Sequence, residues 1–149
     1  MKLCVSVLVL GLVVFSLEAE DEYMITGRIL IDEGGVAHVY LVDAERFSKP
    51  FTGVEEIVTV ISPGQLDTGS VPFCFVDIPG GEYGIRVFVD TNGNGKLDRG
   101  LLGPSEPWGM SWQGERSSRF PRFRDIAFRL AADMRGLEID TRMEQKPLP

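Results

Sequence analysis

The chain has 149 residues, of which 15 are basic and 22 acidic, and its formal net charge at neutral pH is −7. This length is sufficient for one domain with a substantial hydrophobic core. A nucleic-acid-binding domain would need a basic face for the phosphates, and this acidic composition argues against one. We therefore expect one globular domain without a nucleic-acid partner.

Residues 1–19 predict a secretory signal peptide. Lys2 supplies the positive charge, Leu3–Leu17 is an apolar run, and Leu17-Glu-Ala19 is an acceptable cleavage site. The apolar run is shorter than the roughly 20 residues of a comfortable membrane span. An uncleaved N-terminal anchor is therefore the less favoured interpretation, and we expect a secreted or periplasmic protein with no membrane span after cleavage.

The mature protein is predicted to be a single domain over residues 20–143, followed by a frayed tail over 144–149. Cleavage removes one positive and one negative charge, so the net charge stays at −7. Cys74 is then the one remaining cysteine and cannot form an internal disulfide. Because it lies in an apolar run, we expect it to be packed rather than reactive.

The chain in order shows seven stretches with alternating or β-branched residues, which is typical of strands. They are Tyr23–Ile31, Val36–Val42, Glu55–Ile61, Val71–Ile78, Tyr83–Asp90, Asp125–Leu130 and Gly136–Met143. Turn signals separate them at short intervals, and no stretch predicts a substantial helix. We therefore predict an all-β fold, an antiparallel β-sandwich of about seven strands. The first two strands are expected to form a hairpin.

Directly after the clearest strand, the run DTNGNGKLD at 90–98 has the spacing of a calcium loop. Calcium takes six to eight oxygen ligands, and side chains at loop positions 1, 3 and 5 face inward when a glycine at position 6 permits the tight turn. The motif matches through position 9. The predicted ligands are Asp90, Asn92, Asn94, Lys96 through its backbone carbonyl, and Asp98.

The motif fails at position 12, where a bidentate glutamate is required and Leu101 stands instead. Glu106 could reach back from beyond the loop, although spacing alone does not decide this. With two aspartates and two neutral amides, we expect weak affinity, about 10⁻⁴ to 10⁻³ M. The alternative is a metal-free turn, since Asn-Gly pairs are also a strong hairpin signal.

A second candidate site lies in the long irregular stretch Gly100–Arg124. Trp108 and Trp112 in this stretch could contact a carbohydrate or another surface ligand, since long loops in compact domains are often functional. The unknown partner would then be a protein or a glycan. His38 is the single histidine, and no nucleophile–base pair is apparent around it, so we expect a protein that is not an enzyme.

Three segments carry a family resemblance: PGGEYGIRVFVDTNGNGKLD at 79–98, GPSEPWGMS at 103–111 and DIAF at 125–128. With their flanks, residues 72–130 resemble the bacterial exported family known as domain of unknown function 2141. Gly84 departs from the pattern, where the family usually has alanine. The resemblance implies a small exported sandwich domain of the transthyretin-like or immunoglobulin-like kind, and it implies no activity.

Overall fold

The computed structural model describes residues 21–101, 103–113 and 121–142, and this part of the chain consists mostly of strands. The predicted all-β class is confirmed. The elements are β1 Glu22–Leu30, β2 Val36–Val42, α1 Ala44–Phe47, β3 Glu55–Val60, α2 Pro63–Thr68, β4 Ser70–Pro79, β5 Gly81–Asp90, β6 Arg99–Gly100, β7 Gly103–Pro104, β8 Trp108–Met110, α3 Phe123–Ile126, β9 Phe128–Leu130 and β10 Met134–Asp140.

The longer strands form two sheets. One sheet has the order β10-β1-β4, and the other has the order β3-β2-β5-β8, with β9 added at the start of β5. A separate short ladder joins β6 and β7. Every pair is antiparallel except β1 with β10, which run parallel. The antiparallel prediction therefore holds apart from this one edge, and the choice between transthyretin-like and immunoglobulin-like topology stays a prediction.

The hydrophobic core contains side chains from both sheets, as the alternating sequence pattern requires. On β5, the four residues predicted to share one face are all buried: Tyr83, Ile85, Val87 and Val89. They meet Ile25 and Ile29 of β1, which are both fully buried. Burial of each such aliphatic side chain contributes about 1.5–3 kcal/mol to folding. This core fixes the position of β5, and with it the start of the candidate loop.

The predicted hairpin between the first two strands is wrong. β1 pairs with β4 and β10, whereas β2 pairs with β3 and β5. The chain changes sheets between Ile31 and Gly35: the N–H of Ile31 donates to the carbonyl of Gly69, and the N–H of Ile61 donates to the carbonyl of Gly35. Alternation reveals which face of a strand is buried, but it does not reveal the neighbouring strand.

The connection between β3 and β4 contains the short helix α2. Ser62 and Gln65 form a capping box, and the helix ends at Gly69 in the left-handed conformation. The sixth predicted strand divides into α3 and β9, and the last one begins earlier, at Met134. Met143, the signal peptide and the tail lie outside the described residues. No helix of the described chain is long and apolar enough to cross a membrane.

Candidate metal loop

Asp90 is the organising side chain of the loop that follows β5. Its carboxylate is 2% exposed and accepts hydrogen bonds from the backbone N–H groups of Gly93 at 2.7 Å, Asn94 at 3.2 Å and Gly95 at 2.7 Å. Burial raises the pKa of Asp90, but hydrogen bonds from the backbone of residues 92–95 outweigh it and hold that pKa below its usual value. The loop therefore folds around an ionised carboxylate.

The tight turn requires left-handed backbone at Gly93 and Gly95, with φ of 76° and 74°. Residues with a Cβ rarely adopt this conformation. The glycine at loop position 6 thus has the role that the motif predicts for it.

Asp98 closes the other side of the loop. One of its carboxylate oxygens accepts the side-chain N–H groups of Asn92 at 2.6 Å and Asn94 at 2.9 Å. The amide oxygen of Asn92 accepts the N–H of Asn94 at 3.1 Å, and that of Asn94 accepts the N–H of Lys96 at 2.8 Å. Hydrogen bonds thus join the side chains of Asn92, Asn94 and Asp98, whereas the Asp90 carboxylate binds the backbone of the same loop. Each amide oxygen retains one lone pair.

Glu106 reaches back to the loop, which sequence spacing could not decide. Its side chain is buried, and one carboxylate oxygen accepts from the N–H of Thr91 at 2.9 Å and from the Thr91 hydroxyl at 3.1 Å. The other oxygen accepts from the N–H of Asp98 at 3.0 Å. Glu106 therefore holds both ends of the loop. Leu101, at position 12 of the motif, is fully exposed and has an apolar side chain that cannot replace the glutamate.

The oxygen atoms of the loop are of the kind that a hard cation prefers, but the loop carries little negative charge. Among the described residues, no three His, Cys, Asp or Glu side chains are grouped closely enough to hold a metal ion. A cation here would depend on two carboxylates, Asp90 and Asp98, supplemented by amide and carbonyl oxygens. Calcium accepts such mixed ligand sets with weak affinity. Calcium binding at this loop therefore stays a prediction.

Comparison with known protein families identifies one that matches this chain. A family model described as an uncharacterized protein conserved in bacteria, domain of unknown function 2141, matches residues 30–136, more than half of the chain. The chain belongs to this family. The match extends beyond the resembling segment 72–130 and includes β2 and β3. No curated protein and no solved structure matches the chain significantly.

The family segment 103–111 forms β8 and adds to the edge of β5. The N–H of Val89 donates to the carbonyl of Pro107 at 2.9 Å. Ser111, which is buried, accepts from the N–H of Ile85 and donates to the carbonyl of Ile126, both at 2.8 Å. This hydroxyl joins β5 to the helix that precedes β9. Sequence reasoning missed its role, because a single serine in an irregular stretch gives no signal.

Gly84, where the resemblance would have alanine, lies against the same helix. A Cβ placed there would come within 2.7 Å of the Ile126 side chain. Since real Cβ atoms essentially never approach so closely, the glycine allows Ile126 to pack fully buried against β5. The departure from the family pattern thus has a packing cause.

Trp108 and Trp112 are half-buried. Both pack against a second hydrophobic cluster, which we call the outer cluster. Its buried members are Tyr40, Val42, Phe88 and Ile126. Leu97 of the candidate loop packs against it as well, so the tryptophans and the loop share one support. The interpretation of the two tryptophans as ligand contacts stays a prediction.

Arg86 organises the connection between β2 and β3. Its guanidinium donates to the backbone carbonyls of Phe47 at 3.2 Å, Lys49 at 2.9 Å and Thr52 at 3.2 Å, and it lies 5.7 Å from the centroid of the Phe47 ring. Burial lowers the pKa of Arg86, and the Coulombic effect of Tyr40 opposes that shift. Nothing in the sequence indicated that this arginine serves a loop over thirty residues away.

The two remaining side chains considered in the sequence analysis are those of His38 and Cys74. His38 stacks on Phe88 with ring centroids 4.6 Å apart, and its Nδ1 lies 3.4 Å from Glu56. Cys74 is exposed on the outer face of β4, so the expectation that it is packed is wrong. The apolar residues around it, Phe73 and Phe75, are the ones that point into the core.

Proposed function

We propose that this family member is an exported, non-enzymatic β-sandwich module whose loop 90–98 binds calcium as a structural ion. The observation that supports the proposal most is the buried carboxylate of Asp90, around which the loop is already folded by three backbone N–H groups. A preformed loop lowers the conformational entropy that a ligand must offset on binding.

The proposed ligands are Asp90, Asn92, Asn94 and Asp98 through their side chains and Lys96 through its carbonyl. Glu106 serves as the brace of the site, because it binds the backbone of Thr91 and Asp98. An ion bound only by the folded protein stabilises it by about 2.7 kcal/mol at a hundredfold excess over its dissociation constant. With weak affinity, only a calcium-rich extracellular or periplasmic setting supplies that excess. This is consistent with the predicted export signal.

The absence of catalysis is part of the proposal. Among the described residues, the one histidine, His38, stacks on Phe88 and lies 3.4 Å from the Glu56 carboxylate. Neither of these contacts involves a serine or cysteine nucleophile. In this proposal, calcium stiffens the end of the sandwich formed by the loop and β8.

Thermal unfolding of the purified protein in EDTA and in millimolar calcium tests the proposal. Calcium should raise the midpoint, and Asp98→Asn should abolish the rise, because it removes one of two anionic ligands while retaining an amide of the same shape. Asp90→Ala is a poorer test, since it would also leave three backbone N–H groups without their acceptor.

Glu82→Gln is the matched control, because it removes the same charge from an exposed position on the same strand. It lies eight residues before Asp90, about 27 Å away along β5. A calcium response that is absent in the wild type, or equal in Asp98→Asn and in the control, would overturn the calcium proposal.

A further inference from the structure

The outer edge of β3 is an open sheet edge in the described part of the chain. β3 ends the order β3-β2-β5-β8, and its one strand partner among the described residues is β2. The pairing runs from Val36 with Val60 to Leu41 with Glu55 without a register shift. The strand, with the sequence EEIVTV, contains neither proline nor lysine. It lacks the proline, lysine and bulge that commonly protect an edge from pairing with another chain.

The other sheet edges are protected. β4 carries Pro72, and its register with β1 shifts between Tyr23 and Ile25, beside Asp77 in a left-handed conformation at φ 56°. β10 contains Gly136 at φ 73°. β8 has only three residues. By contrast, the register of β3 with β2 is regular along the whole strand.

The outward face of β3 carries apolar residues beside this edge. Val58 is 54% exposed and Val60 is 73% exposed, on the same face as Glu56. Val58 pairs across the sheet with His38, and His38 pairs with Phe88. Two neighbouring exposed valines on an open strand form an apolar stripe that continues into buried aromatic residues, which is typical of a surface for another β-strand.

The negative charges on β3 indicate which kind of segment would pair with this edge. Glu55 and Glu56 begin the strand, and the Glu56 side chain is 43% exposed although it faces His38. An antiparallel strand presents, from its N-terminus, residues opposite Val60, Val58 and then Glu56 on the outer face. A complementary segment therefore has two alternating apolar residues followed, after one more residue, by lysine or arginine. The sequence pattern is apolar-x-apolar-x-basic.

We propose that the free edge of β3 is a docking site for such an extended, basic-ended peptide segment of a partner protein, which adds to the sheet as a further strand. A second copy of this chain fits less well. Two antiparallel β3 strands that keep their outer faces aligned, with Val58 opposite Val58, would place Glu56 opposite Val60 and leave both carboxylates without a counter-charge. The net charge of −7 adds further repulsion between copies.

The test is fluorescence anisotropy with a labelled peptide in which two valines alternate with threonines and are followed, after one more threonine, by lysine. The full chain should bind it, and Val58→Lys should weaken binding by about fivefold or more, through loss of an apolar pair and repulsion of the peptide lysine. Val60→Lys is the second variant at an equally open site. Val76→Lys is the matched control, since Val76 is 58% exposed on the protected strand β4.

A charge exchange tests the register. A peptide with glutamate in place of lysine should bind more weakly, and Glu56→Lys should reverse the preference. The proposal is overturned if the wild type does not bind the peptide or if Val58→Lys and Val60→Lys bind like Val76→Lys. It is equally overturned if sedimentation detects a dimer that Val58→Lys dissociates while the peptide is not bound, an outcome that would identify a second copy as the occupant.

Discussion

Glu106 accepts a hydrogen bond from the backbone N–H of Asp98 at 3.0 Å, while its other carboxylate oxygen accepts from the N–H of Thr91 at 2.9 Å. One buried side chain from the segment before β8 thus binds both ends of the loop that follows β5. These hydrogen bonds join the loop to the segment that leads into β8.

Glu106→Gln should destabilise the protein by about 1–3 kcal/mol, because the new amide would direct an N–H group at a backbone N–H donor in a buried site. Urea unfolding in EDTA measures the change without any contribution from calcium. Glu82→Gln, an exposed position, should remain within about 0.5 kcal/mol of the wild type. Equal stability of the two variants would show that the brace does not contribute to folding.

Arg86→Lys should also lower the free energy of unfolding by about 1–3 kcal/mol, since a lysine ammonium cannot reproduce the planar fork that donates to four backbone carbonyls on the connection between β2 and β3. Arg28→Lys is the control, because Arg28 forms an exposed ion pair with Glu138 at 2.7 Å. Exposed pairs contribute little, about 0–1 kcal/mol. Chemical denaturation compares both variants with the wild type, and a smaller loss for Arg86→Lys than for Arg28→Lys would contradict the role of Arg86.

Ser111→Ala removes the hydroxyl that both accepts from the N–H of Ile85 and donates to the carbonyl of Ile126. Two buried backbone groups then lose their partner, and we expect a loss of about 1–3 kcal/mol. Amide hydrogen exchange provides a local measurement, since exchange at Ile85 should accelerate in the variant. Unchanged protection at Ile85 would mean that water or a neighbour replaces the hydroxyl.

The acid sensitivity of the protein should depend partly on Asp43, which caps α1. A hydrogen bond from the N–H of Arg46 at 2.7 Å is the largest contribution that lowers the pKa of Asp43; burial opposes it, and the Arg46 side chain reinforces it. A carboxyl group with a lowered folded-state pKa stabilises the protein above its unfolded pKa of about 3.9. That stabilisation is lost as the pH falls through the lower folded value.

Asp43→Asn keeps a capping oxygen but does not titrate. Its unfolding midpoint in urea should therefore fall less than that of the wild type between neutral pH and about pH 3. Parallel curves for the two proteins in this range would exclude Asp43 as a source of acid sensitivity.

Several features of the fold and the loop could be predicted from the sequence because their causes are local. The alternation from Tyr83 to Val89 identified a strand with one buried face, and the run DTNGNGKLD at 90–98 identified a tight loop after it, in which Asn92 and Asn94 bind Asp98. Both features depend on the spacing of residues along the chain, which the sequence shows directly. Backbone periodicity and glycine at the turn are sufficient to determine them.

The tertiary structure alone decided the partners of each strand and the supports of the loop. β1 and β2 lie in different sheets, β1 pairs in parallel with the distant β10, and Glu106, Arg86 and Ser111 bind backbone groups far from them in sequence. The sequence of a strand with one apolar face is compatible with many different neighbouring strands. Its choice among them depends on the simultaneous packing of both sheets and on the pairing of every buried polar group, which only the assembled chain determines.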